Sequence, residues 1–141
     1  MFKNILLIYY GVPSYRNALG IALDIAQTYH SKLSVFALDN RHYQIDCENL
    51  PDQSHFQALK DIKKYVQQYG LDIDIITACG DLGVSVTNYV EKERYDLVVI
   101  GTRPIHGKSG TVLTNAVDNL VHLLKCPVIV VKEKVLAACA V

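Results

Sequence analysis

The sequence of 141 residues has no tryptophan, one methionine and no excess of either charge, because fourteen Lys and Arg offset fourteen Asp and Glu. A formal net charge of zero argues against the broad basic face that nucleic acid or an anionic lipid surface requires. Cysteine is sparse as well. Cys47, Cys79, Cys126 and Cys139 form no CxxC pair and no zinc-ligand spacing with the five histidines. That spacing speaks against a metal cage or a dithiol redox motif and fits reduced thiols in a cytosolic protein. The apolar stretch in MFKNILLIYYG is too short to span a bilayer, and no small-residue cleavage site follows it, so no membrane segment or export signal is expected. GxSxG, HExxH, GxGxxG and the DxDxDG calcium loop are missing, and with them the commonest hydrolase, dinucleotide and calcium signatures.

What is present is an apolar half of the residues, enough for one domain over residues 1–141 that needs no metal or disulfide to fold. Apolar runs of strand length alternate with helical patterns, the sign of βαβ units. The runs Ile5 to Tyr9, Leu33 to Leu38, Asp72 to Ala78, Leu97 to Ile100 and Val128 to Val131 predict five strands. Between them, Ser14 caps a helix with Ala18, Ile21, Ala22, Ile25 and Tyr29 on its inner face. Ser54 caps a second helix with Phe56, Leu59, Ile62, Val66 and Tyr69 inward and Gly70 as its stop. Gly80-Asp81-Leu82-Gly83 turns into a third helix that ends near Arg94, and Ala116, Val117, Leu120, Val121 and Leu124 mark a fourth. Asp39 to Gln53 has no period and reads as a long, mobile loop. The fold class is α/β, a three-layer doubly wound domain with a five-stranded parallel sheet and four helices.

Ligands in such sheets bind beyond the carboxyl ends of the strands, here between the loop after the first strand, with Gly11, and the loop from Gly101 to Thr111. Gly107, Lys108, Ser109, Gly110 and Thr111 lie between a strand and a helix, where free N–H groups and the helix dipole favour an anion such as phosphate. The plain alternative is a solvated glycine-rich turn. From Gly101 to Gly107-Lys108-Ser109 the spacing is one residue too long for a P-loop, and Pro104 stiffens it. His106 adjoins this loop, His122 sits at helical spacing from Asp118, and Cys126 has no neighbouring acid or base to activate it, so it reads as a structural thiol.

The Gly80-Asp81-Leu82-Gly83 turn, the run from Tyr95 to Gly101, and Asn119 followed by Lys125-Cys-Pro-Val-Ile-Val-Val131 together resemble the universal stress protein family, most closely its A class. The likeness covers essentially the whole chain. It implies strand order 3-2-1-4-5, a cytoplasmic, non-enzymatic, stress-associated protein, and a homodimer paired through Val128, Ile129, Val130 and Val131 of the edge strand. Nucleotide-binding members carry G-x2-G-x9-G-[ST] after the fourth strand. Counted from Gly101, this chain has Pro104, Thr114 and Asn115 where the motif wants Gly, Gly and Ser or Thr, and Tyr10 where such members have Asp. Proline offers no N–H and threonine adds a Cβ, so the resemblance implies a degenerate site and no cofactor. The alternative is an adenine-nucleotide regulator that holds ATP or AMP with the loop from Gly107 to Thr111. No protein partner other than a second copy is identifiable, and neither metal nor catalytic residues are expected.

Overall fold

Strands and helices alternate along the chain because each buried apolar run is followed by an amphipathic stretch that can cover it. The computed structural model describes residues 2–9, 16–39, 53–79, 81–102 and 110–132. Within them the order is β1 (Asn4–Tyr9), α1 (Arg16–Tyr29), β2 (Lys32–Asp39), α2 (Gln53–Gln67), β3 (Ile73–Cys79), α3 (Leu82–Glu93), β4 (Leu97–Thr102), α4 (Gly110–Leu123) and β5 (Val128–Lys132). The strands form one parallel sheet in the order β3-β2-β1-β4-β5, as the resemblance implied. Ile8 of the central strand stands opposite Phe36 on one side and Ile100 on the other.

Helices on both faces explain why the central strands are apolar without alternation. Ile5, Leu7 and Tyr9 point to the face covered by Ala22 and Leu23 of α1 and Ile62 and Val66 of α2. Leu6 and Ile8 point to the opposite face, against Val86 and Val90 of α3 and Leu120 and Leu124 of α4. At the amino-terminal edge, Asp96 ties β4 to β1. Its two carboxylate oxygens accept the N–H groups of Lys3 at 2.9 Å and Asn4 at 3.1 Å.

Two helix faces differ from expectation. On α1 the buried stripe is Ala18, Leu19, Ala22, Leu23 and Ala26, whereas Ile21 is 37% exposed and Tyr29 50% exposed. This helix is apolar around most of its circumference, so periodicity admits two stripes. The alanines at i, i+4 and i+8 let the backbone approach the sheet, and that close approach selects the face. Tyr69 lies beyond the end of α2, where it is 41% exposed and stacks on Tyr65 instead of the core. Ser54 falls inside α2 rather than capping it, since that helix begins at Gln53. Gly70 does stop the segment, at φ +72°, a conformation that costs other residues energy. Ser14, the loop residues 40–52 and the Phe56 side chain lie outside the described residues.

Of the expected Gly80 to Gly83 turn, Gly80 lies outside the described residues and Asp81 leads into α3. Asp81 has extended backbone and its carboxylate accepts the Val84 N–H at 3.0 Å, an N-cap that satisfies one of the helix's free donors. Among the described residues no helix is long and apolar enough to cross a membrane.

Candidate functional site

β1 and β4 are neighbours in the sheet, yet the chain leaves them on opposite faces, through α1 from β1 and through α4 from β4. In doubly wound sheets such a divergence marks the carboxyl ends of the two strands as the place where ligands are held. The described residues at those ends are Tyr9, fully buried at the end of β1, and Gly101, buried near the end of β4 and in register with Val131 of β5.

Of the candidate binding residues, Gly101 lies near the carboxyl end of β4, and Gly110 and Thr111 form the start of α4 rather than the end of a loop. Asn115 lies farther along the same helix. No acidic residue occupies the first turn of α4, so its free N–H groups and positive dipole end are not neutralised from within that turn. Gly11, Gly107, Lys108 and Ser109 lie outside the described residues, as do Tyr10, Pro104 and His106. Among the described residues no group of three or more His, Cys, Asp or Glu could hold a metal ion.

The titratable groups whose environment is perturbed stand elsewhere. Burial raises the Cys126 thiol above its ordinary range, with the Asp96 carboxylate adding to the effect, and this cysteine is free and half-buried between α4 and β5. Burial likewise raises the Tyr89 phenol, followed by its hydrogen bond from Tyr95. His122 and Asp118 form the exposed helix pair that their spacing suggested, at 3.6 Å. Asp96 was not singled out by sequence reasoning, because its partners are 92 and 93 residues away.

The two edges of the sheet differ in chemistry. β3 carries exposed Asp74, paired at 3.1 Å with Lys32 of the neighbouring β2. β5 carries Val128 and Ile129 half-buried and Val130 42% exposed, with only Val131 covered. Val98 of β4 donates its N–H to the Pro127 carbonyl. In a parallel ladder successive residues bond to alternate sides, so Ile129 and Val131 turn their backbone groups to β4, and Val128 and Val130 turn theirs outward.

A sequence profile of the Universal stress protein family matches residues 1–132. A universal stress protein of Methanocaldococcus jannaschii is 30% identical over 77 residues, a match that spans 55% of this chain and 45% of that protein. One from Bacillus subtilis is 21% identical over 148 residues, covering 94% of this chain and all of the relative. Among solved structures, a universal stress protein in complex with cAMP superposes with a TM-score of 0.71 at 18% identity, covering 92% of this chain and 96% of the other. An Arabidopsis thaliana family member with AMP bound gives 0.63 at 15% identity, covering 94% and 92%. At such identities the structural likeness speaks for the fold.

Proposed function

The chain belongs to the universal stress protein family, and from that premise we propose that it is a cytoplasmic, non-enzymatic stress-response protein that acts as a homodimer through protein association. The observation that carries the proposal is the apolar edge of β5. Val128 and Val130 present outward backbone groups, with the Val128 side chain half-buried and that of Val130 exposed, whereas the opposite edge bears a charged pair. A second copy of the same strand, related by a two-fold axis, supplies both the missing hydrogen bonds and the apolar cover. The absence of an enzymatic role rests on the sequence, where no acid, base and nucleophile cluster.

Sedimentation tests the dimer. The unmodified protein is expected to be dimeric at micromolar concentration, and a monomer there overturns the proposal. Val130→Pro removes an outward donor while leaving the ladder to β4 intact, so it gives a folded monomer. Ile129→Pro instead breaks the ladder to β4 and costs folding itself.

A second reading is favoured by the two neighbours of this fold that hold cAMP and AMP. In it the start of α4, with Lys108, Ser109 and Thr111, takes the phosphate of ATP or AMP. Pro104, Thr114 and Tyr10 oppose tight binding, for the backbone reasons already given. Calorimetric titration decides between them: absent or weak ATP binding supports the degenerate site, and a low-micromolar dissociation constant supports the nucleotide regulator. In the latter case Lys108→Ala weakens binding more than His106→Ala, since an ammonium beside phosphate is a charge-assisted donor.

A further inference from the structure

Tyr65 and Tyr69 stand together on the surface at the end of α2. Their hydroxyl oxygens are 3.1 Å apart, their ring centroids 5.3 Å apart with the planes tilted by 57°, and both residues are more than two-fifths exposed. The backbone fixes this neighbourhood. Gln68, Tyr69 and Gly70 donate their N–H groups to the carbonyls of Tyr65, Val66 and Gln67 in turn, a tight finish to the helix that Gly70 completes with its positive φ.

We propose that this pair is an oxidation site, at which a one-electron oxidant couples Tyr65 to Tyr69 within one chain as 3,3′-dityrosine. Each phenol gives one electron to the oxidant and its hydroxyl proton to water. The two phenoxyl radicals join through their ortho carbons, forming a Cε–Cε bond. The hydrogen on each of those carbons then moves to the neighbouring oxygen, restoring two phenols. The net change is the loss of two hydrogen atoms, as two electrons taken by two equivalents of oxidant and two protons released to water.

In dityrosine the two hydroxyls lie side by side next to the new bond, the arrangement that the hydrogen-bonded oxygens already hold. Rotation of exposed side chains, which is fast, closes the remaining distance between the rings. The other aromatic pairs among the described residues are less suited. Tyr89 and Tyr95 have oxygens 3.4 Å apart and are part-buried, which shields them from an oxidant in solution. Tyr29 is exposed, but the ring beside it is Phe2, which has no phenol to oxidise. The link would span the end of α2 and pin the turn that leads into β3.

The experiment irradiates the full chain with a ruthenium tris-bipyridine photosensitiser and persulfate, and reads dityrosine fluorescence, intact mass and peptide sequencing. The expected product is a single chain lighter by two hydrogen atoms and cross-linked between Tyr65 and Tyr69. Tyr65→Phe and Tyr69→Phe each keep the ring and the packing but lose the product, whereas Tyr89→Phe retains it. The proposal is overturned if no dityrosine forms under conditions that couple free tyrosine, if the link joins two chains only, or if it survives in either Phe variant. Because the bond is intramolecular, its formation does not depend on the dimer.

Discussion

Asp96 shows how one side chain sets the alignment of two central strands. Besides accepting from Lys3 and Asn4, it donates its own N–H to the Asn4 carbonyl at 3.1 Å, so β1 and β4 start in step. Asp96→Ala is expected to cost about 1–3 kcal/mol, since two donors lose a charged acceptor, and the shift in urea midpoint measures it. Asp96→Asn, which keeps one acceptor, recovers part of the loss. Cys126 and Tyr89 predict an alkaline weakness. Both groups are raised by burial above their ordinary values of 9.0 and 10.0, so the folded chain holds protons that the unfolded chain has released. Their contribution to stability is therefore complete below pH 9.0 and is lost as pH rises through the raised values. Urea midpoints measured across that range should fall with pH, and midpoints that stay level through it would contradict the burial of these two groups.

At the scale of elements, α1 separates local pattern from packing. Leu23 is buried against the sheet and Ile21 is partly in water, although both are large aliphatic residues on the same helix. Leu23→Ala should cost about 2–5 kcal/mol by opening a cavity. Ile21→Ala should stay within about 0.5 kcal/mol, the range of surface changes. Thermal unfolding of the two variants distinguishes the observed face from the one periodicity suggested, which would make Ile21 the costly position and leave Leu23 off the inner stripe. α3 and α4 pack closely at Gly83. A Cβ there would sit 3.4 Å from the Asp81 carboxylate and from Leu123 Cδ1, so the helices meet with little room for a longer side chain.

For the molecule as a whole, the unequal edges of the sheet govern its assembly. The β3 edge bears Asp74, a charge that discourages pairing with another strand, and the β5 edge bears none among Val128 to Val131. If two copies pair through β5, folding is linked to association, and the midpoint of thermal unfolding rises with protein concentration. A midpoint independent of concentration over a hundredfold range would count against the pairing. Val130→Pro should abolish that dependence without removing the sheet, which circular dichroism would report.

Much of this architecture is local in origin and was legible in the chain itself. Apolar runs such as Leu97 to Ile100, the entry into α3 at Asp81 and Leu82, and the Gly70 stop depend on neighbours within a few residues, so periodicity and turn chemistry find them. The family resemblance, likewise read from the residues, carried the strand order. Of the candidate site, the chain named Gly101 and the glycine-rich approach to α4, because strand ends and helix starts leave marks in sequence. Only the tertiary structure chose the inner face of α1, turned Tyr69 outward onto Tyr65, and brought Asp96 to the start of β1. It also decided which residues of β5 present their backbone to the outside. Those outcomes depend on surfaces and hydrogen-bond partners that are distant in sequence, and packing selects among local alternatives of nearly equal energy.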